Sequence, residues 1–150
     1  VLSEGERARC LLRLLSEPYA VGSVPVVRRR VRGVLAGWGM DAGTVADAAV
    51  VVSELATNAV VHARPVRGGR LIVQVSYGGR DALLRLLVVD GAPEVVPPGC
   101  VPMVRPSSSA EGGRGMTLVA GMCLAWGVDL GVETKSVWAL LPTGARAGAS

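Results

Sequence analysis

Phenylalanine is absent from this 150-residue chain, and only three Trp and two Tyr supply aromatic rings. Val, Leu and Ala must therefore do most of the packing. With half of the residues hydrophobic, one domain with a single core is affordable. The shortage of stacking aromatics, with a net charge of only +4, speaks against direct nucleic-acid binding. That charge does admit an acidic partner or a phosphate ligand. Cysteine occurs only at Cys10, Cys100 and Cys123, with no Cys-x-x-Cys or Cys/His cluster. A disulfide framework or a zinc site has no basis in that pattern. The expectation is reduced, mostly buried thiols in a cytoplasmic protein. No apolar run reads as long enough to cross a membrane, and no basic-then-apolar signal pattern opens the chain, so no membrane role is expected. Lysine is nearly missing: fifteen of the sixteen basic residues are Arg. Beside so much Ala, Gly and Val, that skew points to a G+C-rich genome more than to a functional demand.

What is present divides into short periodic segments. Ser3 and Glu6 fit a capping box, so residues 4–15 read as a helix, while "CLLRLL" equally suits an edge strand. "SVPVVRRRVRGVLAGWG" (23–39) has a helical period, with Ser23 as N-cap and Pro25 in the first turn. Val27, Val31, Val34, Leu35 and Trp38 share its apolar face. The cluster Arg28, Arg29, Arg30 and Arg32 reads as a solvated face, or as a contact for an acidic partner. Gly39 ends this helix. Asp41 or Thr44 starts the next, which runs from about 44 to 62.

"RLIVQVSY" (70–77) and "ALLRLLVVD" (82–90) read as strands flanking the turn "GGRD". Residues 91–113 form a Pro/Gly/Ser-rich loop of a length usually tied to function or disorder. "GRGMTLVAGMCLAWG" (113–127) reads as a glycine turn opening a helix. "VDLGV" and "SVWALLP" then close a hairpin across "ETK". The hairpin-like strands imply a mixed or antiparallel sheet with helices on one face. The core spans about 20–142, and 143–150 is a frayed tail.

The chemistry gathers in "SELATNAVVHA" (53–63). Residues four apart on a helix lie about 40° apart around its axis, so Glu54, Asn58 and His62 form one stripe. Val50, Val51, Leu55, Ala59 and Val60 are expected to pack on the sheet beside it. A carboxylate among apolar neighbours costs several kcal/mol, roughly, unless partnered. The stripe is thus either solvated or functional. Asp90 ends an apolar strand and precedes Gly91. As an acceptor-only group, it suits reading an amino group such as that of adenine. "GGRG" (112–115) leads into a helix, where glycines let backbone N–H groups approach phosphate and Arg114 adds charge.

Taken together, "SELATNAVVHA", "LLVVDGAP" and "GGRGMTLVAGMCLAWGV" resemble the N box and two glycine boxes of the GHKL (histidine-kinase-like) ATPases. The sequence is similar in particular to their bacterial anti-sigma-factor serine/threonine kinase branch. "SVPVVRRRVRGVLAGWG" and "WGV…TKSVWALL" fit that branch, and the resemblance covers roughly residues 20–142. It implies an α+β fold, a two-layer α/β sandwich of Bergerat type with a mixed, mostly antiparallel sheet. It implies ATP and Mg²⁺ as cofactors, with Asn58 as metal ligand and Glu54 as general base. Asp90 and Gly91 would lie at adenine, Gly113, Arg114, Gly115 and Met116 at the phosphates, and His62 would orient its neighbours. Residues 92–112 would be an ATP lid, mobile without nucleotide. The implied partners are a sigma factor and an anti-sigma antagonist whose serine is phosphorylated, and the resemblance admits a homodimer.

Two features depart from the family pattern. Gly91 follows Asp90 directly, one position early, and is itself followed by Ala92 and Pro93. Glu111 stands where kinase members tend to carry a basic residue. They motivate an alternative reading, a non-catalytic module that acts by protein–protein binding alone.

Overall fold

A computed structural model describes residues 10–66, 68–78, 82–94 and 114–144. Along the chain its elements are β1 (Leu11–Pro18), α1 (Ser23–Gly37), α2 (Ala42–His62), β2 (Arg70–Gly78), β3 (Leu83–Asp90), α3 (Arg114–Met122), β4 (Ala125–Leu130) and β5 (Lys135–Leu141). The strands form one sheet in the order β1-β2-β3-β5-β4, and every pair is antiparallel. The helices cover one face, giving the two-layer α+β architecture expected from the sequence.

Strand alternation decides which side chains meet the helices. Leu71, Val73 and Val75 of β2, Leu84, Leu86 and Val88 of β3, and Val137, Ala139 and Leu141 of β5 all point into the helical layer and are buried. Against them sit Val27, Val31 and Leu35 of α1 and Val51, Val52, Leu55, Ala56 and Ala59 of α2. Val, Leu and Ala build most of this interior, joined by Met40 and Met116, as the lack of phenylalanine requires. Each fully buried Val or Leu contributes about 1.5–3 kcal/mol. α2 is the central helix, packing on α1, α3 and strands β2, β3 and β5.

Several local expectations change. Residues 11–18 form an edge strand paired with β2, so the strand alternative for "CLLRLL" applies; residues 1–9 lie outside the described part. The N-cap of α1 is Gly22, with Ser23 buried in the first turn instead of capping it. Asp41 caps α2, accepting from the Thr44 backbone N–H at 3.2 Å, so the helix starts two residues before 44. Val50 is 37% exposed and turns away from the sheet. α2 is in fact long and apolar enough to cross a membrane by length and composition, contrary to the sequence reading; 44% of that window is buried within the fold.

The last helix stops at Met122. Ala125, Trp126 and Gly127 belong to β4, because backbone pairing with β5 outweighs any helical continuation there. Gly127 lies against the Trp138 ring, where an added Cβ would come within 2.7 Å of the ring. The closing turn is Gly131–Thr134, with the Gly131 N–H donating to the Thr134 carbonyl at 2.8 Å. Lys135 therefore belongs to β5 and not to the turn. Of the cysteines expected to be buried, Cys10 is exposed and Cys123 partly buried. Of the expected mobile lid (92–112) residues 95–112, and of the expected frayed tail (143–150) residues 145–150, lie outside the described part.

Candidate functional site

The polar stripe of α2 lies beside its buried face, as the helical period requires. Glu54 and Asn58 are half-buried, and His62 is exposed at the last residue of the helix. The Asn58 side-chain amide nitrogen is buried and has no hydrogen-bond partner. Buried polar atoms are nearly always paired, so an orphan marks either stored strain or a ligand position. An amide presents oxygen or nitrogen equally well after rotation, and the oxygen is a suitable hard ligand for Mg²⁺. Among the described residues no group of three His, Cys, Asp or Glu could hold a metal. A nucleotide-borne Mg²⁺ is usually held by one or two protein oxygens together with phosphates and water, and the Asn58 amide oxygen fits that arrangement.

The turn after β3 is tightly built. Asp90 is 1% exposed, and its Oδ1 accepts from the Ala92 N–H at 2.8 Å. Directly across the β3–β5 ladder is Lys135, 2% exposed. Its Nζ lies 2.8 Å from both Oδ1 and Oδ2 of Asp90 and donates to the Ala92 carbonyl at 3.1 Å. The ammonium thus donates to Asp90 Oδ1 and the Ala92 carbonyl and is ion-paired with Oδ2, all within this turn. Gly91 serves close approach: its N–H donates to the Arg64 carbonyl at 2.8 Å, and a Cβ there would lie 2.2 Å from the Pro65 carbonyl oxygen. Arg64 and Glu94 form an ion pair across the same junction. Tyr19, just past β1, donates its hydroxyl to the Ala59 carbonyl of α2. Burial, and then the negative charge of Asp90, hold its phenol above the usual pKa.

Asn58 and Asp90 therefore lie at the same end of the molecule, on adjoining elements linked through Tyr19 and the Arg64–Pro65 segment. Gly113 lies outside the described residues. Arg114 and Gly115 open α3, and Met116 is fully buried in the core. The arginine cluster on α1 is split between roles. The Arg28 Nε donates to the Ser53 hydroxyl of α2 at 2.8 Å and the Arg30 guanidinium to Glu17 at 2.6 Å, while Arg29 and Arg32 are exposed. An open cleft of about 450 Å³ lies at the other end of α2, lined by Arg32, Ala36, Met40, Ala42, Val45 and Ala46. Arg32 is the one charged residue among these lining residues.

Sequence reasoning missed Lys135, Tyr19 and Pro65. One signal was available for Lys135. "KSVWALL" alternates so that Lys135 shares the phase of Val137, Ala139 and Leu141, the buried row.

Three comparisons bear on this arrangement. The family model of the histidine kinase-like ATPase domain matches residues 18–139. No curated protein sequence matches the chain. Among solved structures, the RsbU and RsbW domains of Rv1364c from Mycobacterium tuberculosis are similar in fold, with a TM-score of 0.66 at 17% identity. The match covers 91% of this chain and 34% of that one, so the present chain spans about a third of its structural neighbour's length.

Proposed function

From the premise that the chain belongs to the histidine kinase-like ATPase domain family, we propose that it is an ATP-binding serine/threonine kinase of the anti-sigma-factor type. In this reading it works in the cytoplasm, binds a sigma factor, and phosphorylates a serine of an anti-sigma antagonist. The observation that carries the reading is Asn58: a half-buried residue whose amide nitrogen is buried without a partner, one helical turn from a half-buried carboxylate. Asn58 would hold Mg²⁺, which when bound would neutralise phosphate charge. Glu54 would accept the proton of an attacking serine hydroxyl as the terminal phosphoryl group passes to that oxygen. The backbone at the start of α3 would face phosphate with the positive end of its dipole. Phosphoryl transfer asks a protein mainly for positioning and charge neutralisation, and these residues supply both. The RsbW domain of the neighbouring structure supports the anti-sigma assignment at the level of fold.

Calorimetric titration of ATP·Mg²⁺ against wild type, Asn58→Ala and Glu54→Gln tests this. Asn58→Ala should lose most of the affinity. Glu54→Gln should keep it and lose transfer of label to a cognate antagonist. Equal transfer by Glu54→Gln would remove it from the base role.

A second reading, a module that acts only by protein–protein binding, is favoured by the Asp90–Lys135 pair, in which Lys135 already occupies the carboxylate assigned to adenine. Thermal melts separate the two readings. A ligand at 100 times its dissociation constant adds about 2.7 kcal/mol, and no shift at millimolar ATP·Mg²⁺ would favour the module.

A further inference from the structure

The Asp90–Lys135 pair is unusual in its setting. Lysine occurs once in the whole chain, and that one lysine is among its most buried charged residues. Its ammonium sits on the carboxylate whose position at the end of β3 suits it to read an exocyclic amine. An ammonium and an aromatic amine present the same thing to a carboxylate, an N–H donor. A compact ammonium with three donors fits Oδ1, Oδ2 and the Ala92 carbonyl, whereas the planar fork of arginine would not satisfy that triangle.

We propose that Lys135 is the residue that sets base selectivity in this chain: it occupies Asp90 in place of the adenine amine, leaving the site with little preference among purine nucleotides. The proposal rests on the nucleotide-binding reading above. Oδ1 is bonded to both Nζ and the Ala92 N–H, and Oδ2 lies 2.8 Å from Nζ, so an incoming adenine amine must compete with the ammonium for this carboxylate. Guanine in the pose of adenine presents its 6-carbonyl oxygen in place of the amine, and that oxygen cannot donate to the carboxylate. Lys135 thus levels a difference that a free Asp90 would impose.

The test measures dissociation constants for ATP·Mg²⁺ and GTP·Mg²⁺ by competition with one fluorescent nucleotide. Wild type, Lys135→Met and the double variant Asp90→Leu/Lys135→Met are compared. Both nucleotides compete for the same folded molecules, so their ratio does not depend on how much of a variant is folded. In wild type the two should agree within about fivefold. A site that hydrogen-bonds a donor strongly rejects the analogue lacking it, so Lys135→Met should favour ATP by at least about tenfold. The double variant, without the acceptor, should return to near parity. Strong ATP preference in wild type, or an unchanged ratio in Lys135→Met, overturns the proposal while leaving nucleotide binding intact. No saturable binding of either nucleotide to any of the three proteins overturns both the proposal and the reading beneath it.

Discussion

Replacing Lys135 by Met perturbs a single buried contact, and its cost follows from the surroundings. The Lys135 and Asp90 side chains are 2% and 1% exposed, so neither charge is shared with solvent. Removing the ammonium leaves the carboxylate buried with only the Ala92 N–H as partner. Breaking one side of such a pair costs about 3–5 kcal/mol, most of it the penalty of the orphaned charge. In a chain of this size each kcal/mol lowers the melting temperature by roughly 2–4 °C, so the loss should be about 6–20 °C. Replacing both partners, as in Asp90→Leu/Lys135→Met, removes the desolvation penalty as well. That variant should lie near wild type or above it. Urea unfolding at 25 °C followed by circular dichroism gives the free energies of wild type, Lys135→Met and the double variant. A Lys135→Met variant within about 1 kcal/mol of wild type would refute the reasoning, since the pair would then be solvated and weak.

Three further outcomes are expected. Gly91→Ala forces a Cβ to 2.2 Å from the Pro65 carbonyl oxygen, a backbone atom that cannot swing aside, and should destabilise by about 1–3 kcal/mol or more in a thermal melt. Burial, and then the charge of Asp47, push the Cys123 thiol up to about 12, so at pH 8 it should resist an aromatic disulfide reagent while exposed Cys10 reacts fast; mass spectrometry of the labelled peptides distinguishes them. Bonds from the Thr44 hydroxyl and N–H hold the Asp41 carboxyl below its usual pKa. Its contribution is therefore present above the unfolded-state value and is lost as the pH falls through the folded one. Asp41→Ala should melt earlier than wild type at pH 7, and the gap should close in acid.

Elements with an unbroken period were legible from sequence. "VVRRRVRGVL" and "RLIVQVSY" each carry one repeat, and α1 and β2 follow it within a residue or two. The polar stripe of α2 was legible for the same reason: its spacing of four is geometry, not context. "CLAWG" carries no period. Its strand state is set by pairing with β5, a partner the local sequence does not contain. The Asp90–Lys135 pair joins residues 45 apart, so it exists only once β3 and β5 are registered. Gly91 reads from sequence as a nucleotide glycine; its close approach to Pro65 is visible only once the fold sets the two side by side.

The junction of Arg64, Pro65, Gly91 and Glu94 fastens the end of α2 to the exit of β3. The chain departing after Glu94 is rooted on the same block that bears Asn58. Whatever holds Gly91 in place therefore also holds the end of the helix that presents Asn58.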